Sequence, residues 1–104
     1  MISTEVQNEL FRIAQEALTN ISKHARAKSA WINLTFTVDQ IILTIRDNGV
    51  GLAATNSTKS NGSYGLEAMR ERAQRIGGRL QIENSKNGGT SVRVRMSLRK
   101  TPNF

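Results

Sequence analysis

Residues 41–52 read "IILTIRDNGVGL". The first five are apolar or β-branched and suit a pleated surface. Arg46 follows, and then an acid, an amide and two glycines around a valine. Asp47-Asn48-Gly49 is a sufficient signal for a turn, since Asn-Gly is a strong hairpin dipeptide. The same three residues, placed at the end of a strand, also bring a carboxylate and a flexible backbone to one point. The flanking segments have to decide between a turn and a ligand site.

Working backwards, residues 31–38 alternate, with Ile32, Leu34, Phe36 and Val38 on one side and Trp31, Asn33, Thr35 and Thr37 on the other. This is the pattern of a half-buried strand. Asp39-Gln40 is a short reversal, so 31–38 and 41–46 are expected to form an antiparallel hairpin. Residues 4–25 carry Leu10, Ala14, Ala17, Leu18, Ile21 and Ala25 at three- and four-residue spacing, the stripe of an amphipathic helix. Ser3 or Thr4 suits its N-cap. Glu5 and Glu9 suit the positive end of its dipole, and Lys23, His24 and Arg26 the negative end.

Working forwards, "AATNSTKSNGSY" (53–64) has almost no apolar anchor. It cannot offset the entropy of ordering its backbone, so it is expected to be a mobile lid or loop. A second helix is expected from about Leu66 to Ile76, with Leu66, Met69, Ala73 and Ile76 as its apolar face and Gly77-Gly78 as its stop. Residues 79–83 and 91–98 are two further strands joined by the turn "NSKNGGT", with Val92, Val94, Met96 and Leu98 facing inward. Residues 98–104 read as a frayed end. The order is helix, hairpin, long loop, helix, hairpin. It predicts an α+β two-layer sandwich with a mixed, mostly antiparallel sheet and helices on one face. It does not fit a doubly wound dinucleotide fold, and neither GxxxxGK nor GxGxxG is present.

The chain has 104 residues, enough for one domain, with 38% hydrophobic and 22% charged residues. It contains no cysteine, which excludes disulfides, thiolate catalysis and zinc-thiolate sites. His24 is its single histidine, which excludes a metal site of several imidazoles. No apolar run approaches the roughly 18 residues of a membrane helix. No signal-peptide pattern opens the chain, so a cytoplasmic domain is expected, even where a parent protein is anchored in a membrane. The net charge of +7 favours polyanionic partners. Arg93, Arg95 and Arg99 alternate and so share a strand face; a solvated face explains them as simply as a binding surface does.

Three constellations carry possible chemistry. Glu16 and Asn20 are four apart and stack on one side of the first helix, where their oxygens form the hard donor set that Mg²⁺ and its waters prefer; such pairs are also common on solvated helices. Gly62-Ser63-Tyr64-Gly65 precedes a helix whose free N–H groups suit an anion, or it is a linker. Gly88-Gly89-Thr90 opens the last strand, or is a hairpin turn.

In order, these elements are Glu-x-x-x-Asn, Asp-x-Gly-x-Gly, a small-residue lid, Gly-x-x-Gly and Gly-Thr. The series resembles the Bergerat ATP-binding domain shared by histidine kinases, DNA gyrase, heat-shock chaperone ATPases and mismatch-repair ATPases. The resemblance runs from about residue 8 to residue 98. "FRIAQEALTNISKHARA" (11–27) is similar to the N box, "DNGVGL" (47–52) to the first glycine box, and "GSYGLEAMRERAQRIGG" (62–78) to the second. "QEALTN…KHA" with "YGLEAMRERA" is similar to the nitrate-sensor-like subfamily of two-component kinases, whose response regulators carry a helix-turn-helix.

The resemblance implies roles. Asp47 accepts from the adenine 6-amino group and disfavours guanine, whose carbonyl is itself an acceptor. Gly49 and Gly51 let the backbone pass close to the base. Thr90 helps hold a water beside it. Asn20 binds Mg²⁺, and Glu16 sits where hydrolytic relatives place their base. Lys23 is within reach of a phosphate. Gly62, Gly65 and Leu66 contact the nucleotide, with the glycines offering N–H groups to its phosphates. ATP and Mg²⁺ are the expected cofactors. The expected partners are ATP or ADP, a histidine-bearing helix bundle and, indirectly, a response regulator, with no nucleic acid and no membrane contact by this domain.

The sequence also departs from the family pattern. It lacks a Phe-rich lid box, a strand before the N box, and the helix-bundle and sensor domains; His24 is not the phosphoacceptor. The implied activity is the catalytic part of a protein histidine kinase, not competent to phosphorylate itself alone. One alternative is an anti-sigma-factor-like serine kinase or regulatory module of the same fold, which the wording of 62–78 disfavours. A nucleic-acid-binding domain is another, and it lacks the clustered aromatics that stack bases.

Overall fold

A computed structural model describes residues 2–25, 27–49, 65–84 and 88–98. The expected lid (53–63), Gly51, Gly62 and the tail beyond Leu98 lie outside the described residues, as do the side chains of His24 and Ala25. Helix α1 spans Thr4–Asn20 and is followed by one π-helical turn, Ile21–Ala25. Strands β1 (Ala30–Phe36) and β2 (Gln40–Asp47) form the first hairpin. Helix α2 (Leu66–Arg75) and the hairpin of β3 (Gly78–Asn84) and β4 (Thr90–Ser97) complete the chain. The sheet order is β1-β2-β4-β3 and every neighbouring pair is antiparallel. The expected α+β sandwich is therefore present, and among the described strands none is parallel.

Ser3 is the N-cap of α1, its Oγ accepting from the Val6 N–H at 3.1 Å. The buried stripe of this helix is Leu10, Ile13, Ala17 and Asn20. That is a different phase from the expected one: Leu18 is exposed, while Ile13 is fully buried. The shift places Asn20 on the core-facing side rather than beside it. The single long helix expected through residue 25 also changes character after Asn20, where the backbone widens into the π turn.

Both helices lie on one face of the sheet. Ile13, Ala17, Met69 and Ala73 pack on Ile41, Leu43, Ile45, Val92 and Val94 to make the core. Burying each of the larger side chains contributes about 1.5–3 kcal/mol. Glu9 of α1 ties the helices together. It accepts from Arg72 Nη1 at 2.9 Å and Arg75 Nη1 at 3.4 Å, both on α2.

β1 was expected to be half-buried, yet all seven of its residues are exposed. Ile32, Leu34 and Phe36 do point to the helix side, since they oppose Ile45, Leu43 and Ile41. But α1 lies over β2 and α2 over β3, which leaves β1 outside both footprints. A groove of about 380 Å³ remains between α1 and β1, walled by Leu10, Phe11, Leu34 and Phe36.

Candidate functional site

Three polar side chains are buried among the described residues: Asn20, Asp47 and Thr90, each 7% exposed. They come from three separate elements. Asn20 ends α1, Asp47 ends β2 and Thr90 begins β4. Pairing of β2 with β4 in register, Arg46 opposite Ser91, brings Asp47 alongside Thr90. The phase of α1 then turns Asn20 down onto them. All three line one cavity of about 20 Å³ with Ala17, Ile21, Ile45 and Val92. A space of that size holds one water, and three polar groups are enough to bind it. The walls are otherwise aliphatic, as suits the flat face of a base.

The backbone around Asp47 is pinned from two sides. Its Oδ1 accepts from the Gly49 N–H at 2.7 Å, which closes a tight turn directly after the strand. The Asn48 Oδ1 accepts from the Lys28 and Ser29 N–H groups, both at 2.9 Å. Asn48 thus joins the end of β2 to the approach to β1, a role the sequence reading assigned only to a turn. On the other side the β3–β4 loop closes in. Gly88 and Gly89 have φ of +97° and +93°, where side chains are disfavoured. A Cβ on Gly89 would run into the Asp47 carbonyl, and one on Gly88 would lie 3.0 Å from the Gly49 carbonyl. These glycines are more than a hairpin turn: they let one loop lie against the Asp-Asn-Gly segment. Thr90 Oγ1 donates to Asn84 Oδ1 at 3.3 Å across the same hairpin.

Of the other expected residues, Glu16 and Gly65 meet. Gly65 caps α2 with φ +63°, and a Cβ there would collide with the Glu16 carboxylate. An acid therefore sits against the N-terminal end of α2, where free N–H groups favour negative charge. Leu66 is half-buried as the first residue of α2. Lys23 is exposed on the π turn and does not line the cavity. π turns inside helices often mark functional sites, and no residue of "ISKHA" announces this one. The lining residues Ala17, Ile21, Ile45 and Val92 were readable only as core.

The model of the histidine kinase-, DNA gyrase B- and HSP90-like ATPases matches residues 5–100. The chain belongs to this family. As a domain of these ATPases, it is an ATP-binding domain homologous to sensor histidine kinases, and its relatives bear that out. Sensor histidine kinase LiaS of Bacillus subtilis is 37% identical over 97 residues, covering 93% of this chain and 26% of LiaS. Sensor protein VraS of Staphylococcus epidermidis is 37% identical over 98 residues, covering 94% of this chain and 28% of VraS. The ATPase domain thus spans about a quarter of the length of these two relatives. Among solved structures, the ATP-binding domain of PrrB from Mycobacterium tuberculosis superposes with a TM-score of 0.71 at 25% identity, covering 86% of this chain and 67% of that one. The histidine kinase domain of an Erythrobacter litoralis blue-light activated kinase shares the fold, with a TM-score of 0.74 at 24% identity over 93% of this chain and 46% of that one.

Proposed function

We propose that this domain binds Mg²⁺-ATP over the cavity formed by Asn20, Asp47 and Thr90, and delivers the γ-phosphoryl group to a histidine on a separate helix bundle of a sensor kinase. The observation that carries the reading is the convergence of those three polar side chains, from three separate elements, in an otherwise aliphatic pocket. Asp47 is the acceptor for the adenine 6-amino group. Thr90 and Asp47 hold a water at the base edge. Gly49 keeps the backbone close, and Leu66 packs at the nucleotide. Gly65, with Gly62, offers N–H groups to the phosphates.

The donor set suits Mg²⁺. No cluster of three or more His, Asp or Glu side chains exists among the described residues, so no cage of protein ligands is on hand. Mg²⁺ does not need one, since it is commonly held by one or two protein oxygens together with substrate phosphates and water. The Asn20 side-chain oxygen is such a ligand, and Glu16, four residues earlier, orients solvent or metal. Lys23 lies one turn beyond, toward the phosphates. When bound, Mg²⁺ neutralises charge on the transferring group; the protein's own share is positioning. Gly51 completes the family set from outside the described residues.

The bundle, the sensor and the response regulator belong to the remainder of a two-component system, which the names and greater lengths of the relatives support. The domain itself works in the cytoplasm.

Two measurements test this reading. Calorimetric titration should give Mg²⁺-ATP binding well above GTP and above an oligonucleotide; equal binding of all three refutes the nucleotide site. Incubation with labelled ATP should leave the chain alone unlabelled, because His24 sits on the same helix run as Asn20 and cannot line up opposite the leaving oxygen. Addition of the parent kinase's helix bundle should give acid-labile label on that partner. Labelling of His24 would overturn the separate-acceptor reading.

A further inference from the structure

The face of the sheet turned away from the helices has its own chemistry. Strand register fixes which side chains share it. On β4 these are Ser91, Arg93, Arg95 and Ser97, since Val92 and Val94 are in the core. On β3, Arg79 lies directly opposite Arg95, and Gln81 opposite Arg93. On β2, Arg46 and Thr44 share the face, with Thr44 opposite Arg93. The face therefore carries four arginines, Arg46, Arg79, Arg93 and Arg95, against one acid on its strands, Glu83, which lies at the far end opposite Ser91.

Three observations make this more than a solvated surface. First, like charges placed directly opposite on neighbouring strands destabilise a sheet. The Arg79–Arg95 pair has that placement, and neither residue forms an ion pair among the described residues. Second, the Nε–H of Arg93 is buried without a hydrogen-bond acceptor, the one such side-chain atom among the described residues. An orphaned buried donor costs about 1–3 kcal/mol. Third, the surface there is concave. A cleft of about 470 Å³ is lined by Arg79 and Arg95 with Asp39, Gln40, Gln81 and Ser97. The Asp39 Oδ1 already accepts from the Thr37 hydroxyl.

Among the described residues, the cations of this face are all arginines. Guanidinium forks bind planar or tetrahedral oxyanions in pairs of parallel hydrogen bonds, which ammonium groups do not. The one aromatic side chain on this face among the described residues, Trp31, stands on β1, at the opposite edge of the sheet from Arg79 with two strands between, and the Arg46 guanidinium lies 5.2 Å from its ring centre. The cluster thus offers no stacking platform for bases, and a sheet face offers no helix to enter a groove.

We propose that this face is a second anion site, separate from the nucleotide cleft, in which Arg79 and Arg95 clamp a phosphate-bearing group while Arg93, opposite Gln81 on the same face, adds positive charge beside them. The ligand is a soluble phosphate or polyphosphate, or the phosphate of a lipid headgroup. It removes the repulsion between the paired arginines and gives their exposed guanidinium groups charged acceptors.

The test uses the ¹⁵N-labelled chain without Mg²⁺ at fixed salt. In one arm, inorganic pyrophosphate is titrated and the arginine Nε–H signals are followed. In the other, sedimentation is measured with phosphatidylcholine vesicles with and without phosphatidylglycerol. Saturable shifts at Arg79, Arg93 and Arg95, weakened about tenfold or more in Arg79→Gln/Arg95→Gln, assign a soluble phosphate ligand. Sedimentation that requires phosphatidylglycerol and is lost in the same variant assigns a headgroup. Shifts confined to the surroundings of Asn20 and Asp47, or responses that persist in the variant, overturn the proposal. Should the double variant not fold, Arg95→Gln alone serves the same comparison. ATP affinity is unchanged in either variant, because the two sites lie on opposite faces of the sheet.

Discussion

Replacing Asp47 by asparagine is the sharpest single perturbation of the proposed nucleotide site. Asp47 is buried, and one of its oxygens accepts from the Gly49 N–H at 2.7 Å. A carboxylate has about four lone-pair positions, so this bond leaves acceptor capacity for the cavity that Asp47 lines. In the variant the amide oxygen can keep the bond to Gly49, and the turn survives. The amide NH₂ then takes the other oxygen's place and presents a donor where the adenine 6-amino group needs an acceptor. The loss is a charged hydrogen bond, about 1.5–3 kcal/mol. That corresponds to about a 10- to 150-fold weaker Kd. Discrimination against GTP should narrow at the same time, since the guanine carbonyl can accept from the new donor. Calorimetry with ATP and GTP measures both, and amide spectra check that the fold is intact. Unchanged ATP affinity in a folded Asp47→Asn chain would refute the assignment of Asp47 to the base.

Asn20→Ala should remove most of the Mg²⁺-dependent gain in ATP affinity while leaving metal-free adenosine binding nearly intact; calorimetry with and without chelator checks this, and an undiminished Mg²⁺ effect counts against Asn20 as the ligand. Gly89→Ala should lower both stability and ATP affinity, because φ is +93° and the new Cβ would meet Asp47 and Asn48 backbone atoms; such backbone strain alone costs about 1–3 kcal/mol. Gly77→Ala is its contrast: φ is +73° with nothing within 4 Å, so thermal unfolding should shift while ATP binding does not. The hydrogen bond from Arg72, helped by Arg75 and by both positive charges, holds the Glu9 carboxyl below its usual range. The stability it contributes is therefore present above the ordinary carboxylate pKa and is lost as pH falls through the lowered value. Glu9→Gln should flatten that acid limb in a plot of Tm against pH, and an unchanged limb would assign it to other carboxylates.

The element order and the inward faces of α2 and β4 were legible because their signals are local. Period-two alternation in 90–97, three- and four-residue spacing in 66–75 and a double glycine at 77–78 each act within a few residues. The phase of α1 was not legible. Leu10 and Ala17 belong equally to a stripe through Ala14 and Leu18 and to one through Ile13 and Asn20. Apolarity alone chooses the first, since it avoids burying an amide. The structure takes the second, and the cost of burying Asn20 is tolerated because the amide stands at a site with polar partners. A residue that violates the best hydrophobic pattern is therefore itself a pointer to a candidate site.

The glycines of the β3–β4 loop likewise do more than their local sequence signals. A sequence shows that Gly88 and Gly89 permit positive φ, and a hairpin accounts for that fully. It does not show that β4 lies between β2 and β3. That order sets the start of β4 beside the end of β2, so the loop before Thr90 must pass the Asp47 carbonyl at a distance that leaves no room for a Cβ. Likewise β1 alternates as cleanly as a buried strand, but alternation fixes only which side chains share a face. Whether a helix covers that face depends on how far the two helices reach across the sheet, and they reach β2 and β3. What remained hidden in each case is long-range: strand order, helix phase and helix footprint. The site depends on all three. Asn20, Asp47 and Thr90 meet only because α1 turns its polar C-terminal residue onto the β2–β4 seam, while the loop glycines allow the seam to close over the Asp-Asn-Gly turn.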